Sequence, residues 1–120
     1  MLGVVLLGMS GQALKGHLDL LILAVVAADP AHGYAVIEGL RSRSGDVFDL
    51  PEGTVYPALH RLEKSGLLRS EWSIVAGRRR RTYQLTKKGE KSLSAERQKW
   101  ASFSTAVTSV LGGTPWPATT

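Results

Sequence analysis

The sequence predicts a mainly helical fold with a β-hairpin wing: a winged helix-turn-helix followed by a C-terminal dimerisation helix. Three observations predict it. Three short helical patterns run up to two adjacent strand-like segments. Four consecutive arginines, Arg78, Arg79, Arg80 and Arg81, follow the turn between those segments. A last, longer helical pattern repeats apolar residues at seven-residue intervals. A chain of 120 residues holds one modest core. The expected division is a flexible extension over 1–13, a winged DNA-binding unit over 14–86, a dimerisation helix over 87–111 and a flexible tail over 112–120.

Residues 17–28 (HLDLLILAVVAA) are apolar nearly all round, as befits a central helix, and Asp19 lies in the first turn, where the helix dipole favours an acid. Asp29-Pro30 ends this run. A second helix over 34–43 places Tyr34, Val36, Ile37 and Leu40 together, and Ser44-Gly45 stops it. Residues 46–53 read as a loop. Thr54 is the expected N-cap of a third helix over 55–65, with Pro57 in its first turn and Val55, Leu59 and Leu62 as its inner stripe. His60, Arg61 and Lys64 then face outward. Strands follow over 67–75 and 80–86, joined at Ala76-Gly77, with the arginines at the tip. A final helix over 90–111 ends at Gly112-Gly113.

Charge is concentrated where this scheme puts an interface. Residues 60–91 hold ten basic and three acidic side chains, although the whole chain carries only +5. A polyanion partner accounts for that asymmetry, and so does a merely solvated basic face. The third helix offers Thr54 and Tyr56 hydroxyls at its start, and its free N–H groups attract phosphate. Consecutive arginines on a two-stranded ribbon fit a minor groove or straddle phosphates. On the last helix, Leu93, Trp100 and Val107 are spaced by seven, Phe103 and Val110 repeat the interval, and Leu111 extends the seam. The expected partner is a second copy, with packing onto the chain's own first helix as the alternative. Trp100 is also a candidate platform for a flat aromatic ligand. Trp72 is expected to pack the wing against the helices.

Other classes are disfavoured. The absence of cysteine removes disulfides and thiolate sites and fits a cytoplasmic protein. His17, His32 and His60 are far apart and lack metal-ligand spacing. Asp46, Asp49 and Glu52 share a loop without pairing, and there is no phosphate loop or nucleophile motif, so no enzyme and no cofactor are expected. The apolar octet 1–8 has no preceding positive charge and is too short to span a membrane, and Met9 is a candidate initiator.

The segments LKGHLDLLILAVV (14–26), HGYAVIEGL (32–40), GTVYPALHRLEKSGLL (53–68) and GRRRRTYQLTKKG (77–89) resemble the PadR family of bacterial regulators. The resemblance spans about residues 14–111, and its most specific block is 53–68. It implies a winged-helix homodimer, usually a repressor, joined through the C-terminal helix. It places Thr54, Tyr56, Pro57, His60 and Lys64 in a recognition helix, residues 77–80 at the wing, and Tyr34 near the phosphate backbone. It further implies a small aromatic or drug-like effector, with Trp100 at the distance from the wing where some members set a tryptophan in the dimer pore. The stretch before Met9 and the proline-containing tail depart from the family pattern. A homodimer would read a roughly palindromic double-stranded operator. Two other readings stay open: a protein-interaction adaptor using the winged fold, and a ligand sensor without direct operator binding.

Overall fold

The computed structural model describes residues 2–113; for residues 2–13 and 15 it describes the backbone alone. The element order is α1 (Leu2–Ala28), β1 (Ala31–His32), α2 (Gly33–Arg43), α3 (Glu52–Lys64), β2 (Leu68–Val75), β3 (Arg78–Leu85) and α4 (Lys87–Val110). This is the expected mainly helical, winged architecture. The first helix starts at Leu2 rather than His17, so residues expected as a flexible extension continue the α1 backbone. No proline interrupts that stretch, and its leucines, valines and methionine allow helix. The expectations about Met1 and about the tail over residues 114–120 fall outside the described residues.

The core gathers one stripe from each helix: Ile22 and Leu23 of α1, Val36 and Leu40 of α2, and Val55 and Leu59 of α3. Leu62, Leu68, Tyr83 and Leu93 close it from the wing side and from α4. These apolar side chains leave water together, each contributing about 1.5–3 kcal/mol on full burial. The sheet has three strands in the order β1-β3-β2, not two. After Asp29-Pro30 the chain is extended, and Ala31 and His32 add to β3 opposite Tyr83 and Thr82. A two-residue strand carries no periodicity, which is why the sequence does not show it.

Three further boundaries differ from expectation, each for a local reason. Helix α3 begins at Glu52 with Pro51 as its N-cap, and no side chain caps it; Thr54 is already helical. Pro57 consequently lies beyond the first turn and leaves the Gly53 carbonyl without its i+4 donor. Thr86, expected to end a strand, is the N-cap of α4, its hydroxyl accepting from Gly89 N–H at 3.0 Å. The hairpin turn is Ala76-Gly77, both at positive φ (53° and 77°), the two-residue turn whose twist matches the strands. The strands therefore pair right up to Val75 and Arg78, and the arginines lie along β3 instead of at a loose tip.

Gly89 sits where α4 leaves the wing, and a Cβ there would run into the Leu67 carbonyl oxygen, backbone that cannot yield cheaply. Gly89→Ala should cost about 2–3 kcal/mol of stability. A thermal melt checks this, and an unchanged midpoint would contradict the packing at the α4 start.

Candidate nucleic-acid interface

The buried stripe of α3 is Val55, Ala58, Leu59 and Leu62, at i, i+3, i+4 and i+7. Helical geometry then fixes which residues can point away from the protein. Opposite the stripe stand Gly53, Pro57, His60 and Lys64, all exposed and separated by four, three and four positions. Thr54 and Arg61 lie on the flank toward α1; Tyr56 and Glu63 lie on the flank toward the wing. The two flanks are spent differently. Arg61 forms a bidentate pair with Asp19 of α1, both N–O distances 2.9 Å, which ties α3 to α1. That partner holds the guanidinium in its charged form. Arg61, expected among the outward DNA contacts, is exposed and at the same time paired with Asp19.

On the wing-side flank, the ring of Tyr56 lies over Gly33, where an added Cβ would stand 2.6 Å from the ring. Only glycine permits that approach, so α2 starts directly beneath Tyr56. Tyr34, next in the chain, is exposed and its ring stacks on His32 at 6.4 Å. Glu63 accepts from Ser70 Oγ at 2.7 Å and from Arg81 Nη2 at 2.9 Å, and Arg81 Nε donates to Ser70 Oγ at 2.7 Å. Arg81, expected with its three neighbours as an unburied DNA contact, is thereby paired with a carboxylate and half-buried.

The remaining wing arginines are set by strand alternation. Counting out from the turn, Ile74 opposes Arg79 and Trp72 opposes Arg81, so these four share a face. The Arg79 guanidinium lies 4.4 Å from the Trp72 ring centroid and that of Arg81 5.6 Å. Trp72 is 56% exposed. It braces arginines on the wing, whereas the sequence led us to expect it packed between wing and helices. Between wing and helix opens a cleft of about 360 Å³, lined by His32, Tyr56, His60, Trp72 and Arg78 to Arg81. Within it His32 is held below the usual histidine range, first by burial and then by the nearby Arg80 charge, so its ring favours the neutral form. Cationic and aromatic groups converge here, and among the described residues no cluster of His, Cys, Asp and Glu is arranged to hold a metal ion.

Comparisons with known proteins agree on one family. The profile of the transcriptional regulator PadR-like family matches residues 22–95. The chain belongs to the PadR family. A transcriptional regulator of Mycobacterium tuberculosis, Rv3488, is 43% identical over 77 residues, which cover 64% of this chain and 69% of that protein. The crystal structure of a PadR family transcriptional regulator from Eggerthella lenta superposes with a TM-score of 0.76 at 29% identity, covering 89% of this chain and 92% of that one. A PadR-like transcriptional regulator from Bacillus cereus gives 0.75 at 31% identity, over 85% and 98%. Proteins of this family are transcriptional regulators, not enzymes.

In this PadR-family chain the structure brings Tyr56 and His60 to one cleft with Arg78 to Arg81, sets Lys64 beside His60 and Arg81 in a smaller one, stacks Tyr34 on the cleft residue His32, and leaves Pro57 exposed on the ridge of His60 and Lys64. Thr54 is half-buried at the edge of that surface. The α4 residues form a separate region. Leu93 was expected at a dimer interface, but it is 3% exposed inside the chain's own core. Trp100, Phe103, Val107 and Val110, at i, i+3, i+7 and i+10, stand exposed beyond it, with Leu111 after them. Trp100 meets His17 of α1 edge-on at 5.2 Å and Phe103 at 5.9 Å, beside a cavity of about 170 Å³. Sequence reasoning missed Glu63, Ser70 and His32. The pairing of residue 72 with residue 81 was recoverable by counting back from the Ala76-Gly77 turn.

Proposed function

We propose that this PadR-family regulator is a homodimer that binds a palindromic double-stranded operator, α3 entering the major groove and the wing following the adjacent backbone. The observation that carries the reading is the common face of the α3 ridge and the wing arginines, with the aromatic and cationic cleft between them. Pro57, His60 and Lys64 head the groove-facing ridge; Tyr56 and Thr54 flank it with hydroxyls suited to a base edge or phosphate. Arg78, Arg79 and Arg80 supply the wing's phosphate attraction, and Tyr34 stands beside it. Arg61 and Arg81 are engaged by carboxylates of the chain itself and contribute less of the attraction. A regulator of this kind works in the cytoplasm, and no described helix is long and apolar enough to cross a membrane.

The dimer uses the exposed α4 stripe, since a row of Trp100, Phe103, Val107 and Val110 left in water is costly unless a second copy covers it. Occupying the operator would repress the neighbouring gene. A planar aromatic effector relieving that repression would sit at Trp100, whose exposed ring borders the cavity with His17.

Titration of the protein against fragmented DNA from around its own gene, at two salt concentrations, tests the proposal. Tight, sequence-selective and steeply salt-dependent binding is expected; no binding at low salt would overturn it and favour an adaptor role. Replacing Arg79 and Arg80 together by alanine should lower the slope of log affinity against log salt by about 2, whereas Arg61→Ala should change it less. Quenching of tryptophan fluorescence by planar aromatics, lost in Trp100→Ala, checks the effector site.

A further inference from the structure

The hairpin leaves the body of the protein after Ser70 and Tyr83. From Glu71 to Arg79 every residue is exposed, so no core packing holds the outer wing at a set distance from α3. The outermost fastening is the triangle of Glu63, Ser70 and Arg81. It joins α3, β2 and β3 at one point, and each of its three edges is a hydrogen bond of 2.7–2.9 Å. The Ser70 hydroxyl is both donor and acceptor in it, and the carboxylate uses both oxygens. Glu63 is also the acid set among basic neighbours: it lines a surface cleft of about 310 Å³ with His60, Lys64 and Arg81.

A carboxylate in that position has two opposed effects on a DNA-binding surface. Its charge repels phosphate on any duplex and cancels Arg81, which lowers general affinity. Its hydrogen bonds fix the spacing between the ridge of α3 and the wing arginines, on which simultaneous engagement of groove and backbone depends. We infer that Glu63 is a positioning residue that sets sequence discrimination: it holds the wing in register with the recognition helix while weakening attraction to DNA at large. The inference rests on the DNA-binding reading above.

The two effects separate in Glu63→Gln, which keeps the side chain's shape, removes its charge and leaves one oxygen to accept where there were two. The probes are an operator duplex selected by the unaltered protein from a randomised pool, and a random-sequence duplex. Affinity for the random duplex should rise about two- to fivefold, and the operator-to-random ratio should fall on the order of tenfold. Ser70→Ala opens the same triangle without touching a charge. It should leave random-duplex affinity unchanged and lower the ratio by a smaller factor, which keeps the test decisive should Glu63→Gln unfold. A ratio unchanged in both variants would overturn the inference, whether the two affinities rise together, as for a plain charge effect, or fall together with thermal stability, as for a purely structural role. Failure of the unaltered protein to select any duplex would overturn the DNA reading itself.

Discussion

The orientation of α3 governs everything else at the interface, and four buried side chains set it. Val55, Ala58, Leu59 and Leu62 anchor the helix in the core. With that stripe inside, the ridge Gly53, Pro57, His60 and Lys64 has only one direction to face, and both flanks are assigned with it. The Arg61–Asp19 pair then locks the α1 flank, and the Glu63 triangle locks the wing flank. These ion pairs are partly exposed, and each is worth about 0–1 kcal/mol, a fraction of the energy of the buried stripe. Their effect is on geometry: they limit rotation and sway of elements whose placement the core has already decided.

Charge on this molecule is accordingly sorted by task. Arg61 and Arg81 are matched with carboxylates at 2.9 Å, while Arg79 is matched with an aromatic face, which orients a guanidinium without neutralising it. Arginine beside tryptophan keeps its full charge for a phosphate. The same chain thus uses one residue type both as internal fastener and as outward cation, and a count of basic residues over 60–91 merges the two.

The sequence showed the element types and the outer ridge well, because both follow from apolar periodicity: the inner stripe Val55, Leu59 and Leu62 was visible, and it implied that His60 and Lys64 face away. It showed the α4 stripe for the same reason, although only packing reveals that Leu93 is consumed within the chain. What periodicity does not carry is the identity of long-range partners. Asp19 reads as a helix-dipole acid until α1 and α3 are placed side by side, and Glu63 reads as a solvated acid until Ser70 and Arg81 arrive from the hairpin. The start of α3 was misplaced because Thr54 is a good capping residue by type, whereas Pro51, with extended φ and ψ, ends the loop three positions earlier. The wing arginines were put at a tip because arginine has no marked strand signature; the positive-φ turn at Ala76-Gly77 decides the register.

In the proposed function, α3 and the wing form one reading surface, presented twice by a dimer joined through α4. A hydroxyl-radical footprint of the selected operator should then show two half-sites about 34–36 Å apart, each with paired protections: one along the major-groove edges under α3 and one on the flanking backbone under the wing. A single half-site, or protection from α3 without the neighbouring wing patch, would contradict it.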